Sequence, residues 1–166
     1  MIFRITTLVL TIFFFSPFSQ SIHAQEADQL MFLVRHAEKV QDGSRDPELT
    51  EDGVIRAERL AAILKDFNIK GVFSTDYKRT RNTAQPLADM LGLKVTLYDP
   101  RDEGSLSSIK SQKGNLLIVG HSNSTPTLAN KIIGEDKYEK LDESVYDHLF
   151  ILARSGKHFG SQISKF

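Results

Sequence analysis

Three short stretches hold the residue types needed for chemistry on an anion. "LVRHAEK" places Arg35 and His36 at the end of an apolar run, and "STDYKRTRNTA" places Arg79 five residues after Ser74. "IVGHSN" places His121 at the end of a second apolar run. Together these residues suit phosphate. An arginine presents a planar fork that grips phosphate oxygens in pairs. A neutral imidazole is a competent nucleophile near neutral pH and can carry a covalent phosphoryl group. A second imidazole, if protonated, holds a non-bridging oxygen as charge builds in the transition state. In-line phosphoryl transfer asks mainly for such positioning and charge neutralisation. Taken singly, Arg35 would be a strand-end cation and His121 a satisfied core histidine. Their joint arrival from separate segments is what makes a site.

Residues nearby have two readings each. Lys39 and Arg45 either widen an anion pocket or are solvated loop charges. Ser122 and Asn123 either bond phosphate or cap a helix beginning near Thr125. Arg81 reads as a helix-surface charge, Tyr146 and Asp147 as a frame for the sheet edge, and His148 and His158 receive no role. The chain has no cysteine, which excludes a thiol nucleophile and thiolate metal sites. No His-Glu-x-x-His cluster occurs, and arginines beside the histidines would repel a cation. Neither metal nor organic cofactor is expected.

The elements that must deliver these residues alternate between strand and helix. "LMFLVR" (30–35) and the core of "GNLLIVGHSN" (114–123) are continuous apolar runs, as strands buried on both faces should be. "IKGVFST" (69–75) and "KVTLYD" (94–99) read as further strands. In "DPELTEDGVIRAERLAAILKDF" (46–67), Val54, Ala57, Leu60, Ala61 and Leu64 fall at helical steps, with an N-cap near Thr50. "YKRTRNTAQPLADMLGL" (77–93) is a helix ended by Gly92, with a kink or late start expected at Pro86. Short helices follow over 103–112 and 125–134, and two terminal strands from 147 on are joined by a tight turn. This alternation predicts an α/β fold, a three-layer α/β/α sandwich with a mostly parallel central sheet. In such sheets ligands sit outside the carboxyl ends of the strands, where Arg35, His36, His121 and Arg79 would converge.

Of the 166 residues about a quarter are charged, and the formal net charge is zero. That excludes a basic nucleic-acid stripe or a polybasic membrane patch, so anion binding must come from local placement. Residues 1–24 follow the order of a secretory signal peptide: Arg4, an apolar stretch from Ile5 to Phe15, then a small-residue exit at Ala24. The apolar stretch is short of the roughly 20 residues of a membrane span. The expected organisation is therefore a signal segment over 1–24 and one domain over 25–166, exported to a periplasm or secreted. Membrane contact is expected only if the signal segment stays uncleaved.

In their order and spacing, "LVRHAEK", "LTEDGVIRA", "STDYKRTRNTA" and "IVGHSN" resemble the histidine phosphatase superfamily, with its phosphoglycerate-mutase-like fold, over Met31 to Leu152. The resemblance implies His36 as the phosphorylated nucleophile, Arg35 as a phosphate clamp, Arg79 as the second arginine and His121 as the second histidine. Lys39 and Ser122 are candidate substrate contacts. Ala37 stands where the family commonly has Gly, a replacement found in its phosphohistidine-phosphatase-like branch. His121-Ser122-Asn123 lacks the His-Asp of the phytase and acid-phosphatase branch. The family's general acid lies between the second arginine and the second histidine, where Asp99, Asp102 and Glu103 are available; Glu103 suits the family spacing best, with Asp99 close behind. The implied activity is phosphomonoester hydrolysis through a phosphohistidine, on a small phosphorylated substrate or a phosphorylated envelope component. Alternatives are a phosphohistidine (phosphoprotein) phosphatase and a non-catalytic phosphate-binding module of the same fold. A mutase is disfavoured, because the segment from Arg79 to His121 leaves no room for a substantial lid to keep water out.

Overall fold

Burial on both faces explains the apolar strands. Met31, Phe32, Leu33 and Val34 are all essentially inaccessible to water. They belong to β1 (Gln29–Arg35), the first element in a computed structural model that describes residues 27–166. The proposed signal segment, residues 1–24, lies outside the described residues. The chain continues through α1 (Glu51–Leu64), β2 (Ile69–Ser74), α2 (Lys78–Leu91), β3 (Val95–Leu97), α3 (Glu103–Ser111), β4 (Asn115–Gly120), α4 (Ser124–Ile133), β5 (His148–Ser155) and β6 (His158–Lys165).

The six strands form one sheet in the order β3-β2-β4-β1-β5-β6. β3, β2, β4 and β1 run parallel, while β5 is antiparallel to β1 and to β6. Alternate residues of the central strands point to opposite faces. Phe32, Val34, Leu117 and Val119 pack on α1 and α2 through Leu60, Leu64, Ala84 and Leu87. Met31, Leu33, Leu116 and Ile118 pack on α3 and α4 through Leu106, Ile109, Leu128 and Ile132. This is the three-layer sandwich expected. Truncating a fully buried leucine such as Leu60 or Leu117 to alanine would cost about 2–5 kcal/mol.

Local chemistry sets the helix ends. Thr50 caps α1, its hydroxyl accepting from the Gly53 N–H at 3.1 Å. A Cβ on Gly53 would lie 2.2 Å from the Glu38 carbonyl oxygen, so only glycine lets α1 approach the chain leaving β1. α2 ends on Gly92 in the left-handed region at φ 63°. It runs unbroken from Lys78 to Leu91 across Pro86, so the helix does not start late. Among the described residues no helix is long and apolar enough to cross a membrane.

Candidate active site

Strand register assembles the site. Arg35, the last residue of β1, pairs with Gly120, the last of β4, and Ser74, the last of β2, pairs with Val119. The next residue of each chain, His36, His121 and Thr75, is thereby set on the same carboxyl edge. The His36 N–H donates to the Gly120 carbonyl at 2.9 Å and the Thr75 N–H to that of Val119 at 3.3 Å. Gly120 has no room for a side chain, since a Cβ would meet the Thr125 and Ser124 hydroxyls at 2.8 and 2.9 Å.

The two imidazoles stand edge to face with centroids 5.5 Å apart. His36 Nδ1 lies 2.8 Å from the Ala37 carbonyl oxygen, which only accepts, so Nδ1 carries the proton and Nε2 keeps its lone pair. Burial pushes the His36 pKa down to about 3 against that raising bond, helped by the charges of Arg35 and Arg79. The ring is neutral at physiological pH and chemically able to attack phosphorus. Burial, then Arg79 and Arg35, likewise lower His121 to about 4. His121 is therefore neutral in the empty site, and would hold a proton only when a bound dianion supplies the compensating charge.

Thr75 fixes the second ring. Its hydroxyl donates to Thr80 Oγ at 3.1 Å, while Thr80 gives its own proton to the Thr75 and Tyr77 carbonyls. Thr75 Oγ is left to accept from His121 Nε2 at 2.9 Å. Tyr77 packs against the other side of His121, with centroids 5.0 Å apart.

Arg79 enters from the first turn of α2, its guanidinium over the Tyr77 ring at 4.4 Å. Its Nε and Nη1 are buried without a hydrogen-bond partner, and the Asp46 carboxylate, 3.7 Å from Nη1, is too far to serve as one. Arg35 is buried more deeply, with its guanidinium over Tyr146 at 4.2 Å. Its Nη1 donates to the carbonyls of Asp142, Glu143 and Val145, its Nη2 to the Glu143 carboxylate at 2.6 Å, and its Nε has no partner. Buried guanidinium donors held ready but unpaired are costly unless an anion arrives to take them.

His36, His121 and Arg79 open into a cleft of about 940 Å³ that Lys39, Ser122, Tyr77, Tyr98, Asp99 and Glu143 also line. Ser122 Oγ donates to Glu143 at 2.8 Å, and Asn123, at the N-cap of α4, makes no side-chain capping bond; the Ser124 hydroxyl accepts from the His121 N–H at 3.0 Å. Glu38, which follows the Arg-His pair so closely, is not in the cleft. It forms a two-oxygen ion pair with Arg56 of α1 at 2.7–2.9 Å and pins the loop after β1.

Glu103 requires a correction. It is the first residue of α3, largely exposed, paired with Lys131 at 2.5 Å, and absent from the cleft lining. Sequence spacing cannot tell which side of a helix start faces the site, and here Asp102 takes the capping position and turns Glu103 toward α4. Asp102 is committed to the Gly104 and Ser105 N–H groups. Asp99 is the residue of this acidic stretch that lines the cleft. Sequence reasoning gave no role to Thr75, Tyr77 or Glu143. A hydroxyl at a strand end was the available signal for Thr75; for Glu143 there was none. Among the described residues no group of three or more His, Asp or Glu could hold a metal ion.

Residues 31–106 match the model of the histidine phosphatase superfamily (branch 1). Over 77 residues the chain is 38% identical to the "Probable phosphoglycerate mutase GpmB" of Erwinia tasmaniensis, covering 43% of this chain and 35% of that protein. Over 99 residues it is 31% identical to the 2,3-bisphosphoglycerate-dependent phosphoglycerate mutase of Thermoplasma acidophilum, covering 55% of this chain and 50% of that one. These matches thus span between about a third and a half of the relatives' length. The structure of the protein histidine phosphatase SixA complexed with tungstate superposes with a TM-score of 0.67 at 15% identity, over 82% of this chain and 96% of that chain. The phosphoglycerate mutase of Bacillus anthracis superposes with a TM-score of 0.61 at 15% identity, over 84% and 94%. At such identities the superpositions establish a common fold.

Proposed function

We propose that this chain, whose residues 31–106 match the model of the histidine phosphatase superfamily (branch 1), belongs to that superfamily and hydrolyses phosphomonoesters through a phosphohistidine on His36. One observation carries this reading: a neutral His36 with Nε2 unprotonated stands beside buried arginine donors that have no partner. Nε2 attacks phosphorus as the bond to the leaving oxygen breaks, and that oxygen takes a proton from Asp99 or from water. Water then attacks phosphorus as the P–N bond breaks, its proton returning to Asp99 where Asp99 supplied the first one and otherwise to bulk water; orthophosphate leaves, and the imidazole returns to its resting tautomer. Arg35, Arg79 and the protonated form of His121 neutralise charge on the three equatorial oxygens. Lys39 and Ser122, which line the cleft, are the proposed substrate contacts. None of these steps calls for a metal or an organic cofactor.

Hydrolysis is favoured over a mutase reaction by an open site. Only the three-residue β3 and the nine-residue α3 lie between α2 and β4, and neither supplies a lid against water. A phosphohistidine phosphatase is the second reading. Glu103 turns away from the cleft, and an imidazole leaving group asks less of a general acid than an alkoxide does. We further propose export, on the strength of the first 24 residues, which points to a phosphorylated envelope component as one substrate class; N-terminal sequencing of the protein recovered from cell fractions tests it.

The deciding experiment incubates wild type and His36→Ala with p-nitrophenyl phosphate and with a phosphohistidine peptide, under neutral conditions that preserve P–N bonds. Turnover and a phosphoryl adduct on His36, both lost in the variant, are expected, and the ratio of kcat/KM for the two substrates separates the two readings. Turnover that survives His36→Ala would sink the mechanism. Orthophosphate binding without turnover on any phosphorylated compound would mark a binding module.

A further inference from the structure

Glu143 lies on the segment between α4 and β5 that has no regular structure, and its carboxylate reaches into the cleft. Oε2 accepts from Arg35 Nη2 at 2.6 Å, and Oε1 accepts from Ser122 Oγ at 2.8 Å. Two anionic oxygens thus span donors that belong to the phosphate clamp. Resting on the phosphatase reading above, we propose that the Glu143 carboxylate is a resident competitor for the phosphoryl site: it occupies Arg35 and Ser122 until a phosphorylated substrate displaces it, and so sets how tightly such substrates bind.

Three observations make the displacement feasible. The Glu143 side chain is 64% exposed, so it can rotate into solvent without disturbing the core. Lys140, one helical turn's spacing away, lies 3.5 Å from Oε1 and offers an alternative partner. The carbonyls of Asp142, Glu143 and Val145 hold Arg35 Nη1 independently of the carboxylate, so the guanidinium stays in place when the side chain leaves. Exchange is also compelled. A phosphate dianion bound to Arg35 would face an ionised carboxylate at contact distance, and the bond from Ser122 together with the Arg35 charge keeps Glu143 ionised below the usual carboxylate range. Observed affinity is then the intrinsic affinity reduced by the fraction of molecules with Glu143 withdrawn. A weakly charged ligand pays this cost against fewer compensating contacts than a full dianion, so the residue also favours phosphomonoesters over singly charged anions.

The test is calorimetric titration of the full chain with orthophosphate, comparing wild type, Glu143→Gln and Glu143→Ala, with Tm recorded for each. Both variants are expected to bind about tenfold more tightly and to lower KM for p-nitrophenyl phosphate by a similar factor, with kcat changed far less. Unchanged or weaker orthophosphate binding at an unaltered Tm would show that Glu143 merely orients Arg35, and would overturn the proposal while leaving the phosphatase reading intact. If neither wild type nor variants bind orthophosphate, the phosphatase reading fails and this inference falls with it.

Discussion

Replacing Arg79 by lysine keeps the positive charge and removes only the fork. Arg79 Nε and Nη1 are both buried and unpaired, and each shares an edge of the rigid guanidinium plane with Nη2, so a phosphoryl group can take two charge-assisted hydrogen bonds from Nε and Nη2 or from Nη1 and Nη2. An ammonium delivers its charge from a single nitrogen on a flexible stem and forfeits at least one of the pair. A hydrogen bond to a charged group is worth about 1.5–3 kcal/mol, so Arg79→Lys should lower kcat/KM roughly 10- to 150-fold. Arg79→Ala, losing both bonds and the charge, should lower it roughly 150- to 25,000-fold. The assay is steady-state hydrolysis of p-nitrophenyl phosphate at neutral pH, paired with orthophosphate affinity and Tm. Stability should change little, because the guanidinium makes no hydrogen bond from Nε or Nη1 and contacts Tyr77 and, at 3.7 Å, the Asp46 carboxylate. A lysine variant within about threefold of wild type would refute the reasoning: the fork would then be irrelevant and Arg79 would act only as a point charge.

The acidic stretch offers a paired comparison. Glu103→Gln, which loses only an exposed pair with Lys131, should leave kcat within about twofold, whereas Asp99→Asn should lower kcat for alkyl phosphates about 10- to 100-fold and spare activated esters such as p-nitrophenyl phosphate; equal effects from both would remove Asp99 as proton donor. The imidazoles give a pH prediction. With a folded pKa of about 3 against an ordinary 6.5, His36 takes up its proton in the unfolded chain first. The stability gained from its neutral form is complete above pH 6.5 and declines as pH falls toward 3. The C2–H resonance of His36 should therefore show no titration between pH 5 and 8, and Tm should fall less on acidification in His36→Gln than in wild type; a midpoint near 6.5 by NMR would contradict the burial argument.

Much of the framework was legible because it depends on local rules. Continuous apolar runs forecast strands buried on both faces, and helical spacing at Ala57, Leu60, Ala61 and Leu64 forecast the buried face of α1, although Val54 of the same series is exposed and Gly53 is buried instead. Thr50 and Gly92 announced helix ends through capping chemistry that involves only a few neighbouring residues. Pro86 misled in part, since it suggested a late start to a helix that in fact begins at Lys78. Packing of Ala84, Leu87 and Ala88 against the sheet supports the turn around it and outweighs the local cost.

For the site, the sequence determined the kinds of group and the strands that carry them: Arg35 and His36 at one strand end, His121 at another, Arg79 at a helix start. Residue type and strand polarity suffice for that, because a parallel sheet must bring its carboxyl ends to one edge. Which other groups meet them was decided by tertiary structure alone. Thr75 reaches His121 because β2 and β4 pair in register, across 46 positions of chain. Glu143 reaches Arg35 because the chain between α4 and β5 folds back over the sheet edge, across 108 positions. Glu103 is turned away by the angle at which α3 begins, although its spacing was suitable. The unpaired donors of Arg79 and the proton on His36 Nδ1 also depend on distances of a few ångströms between distant segments, which a linear pattern does not encode.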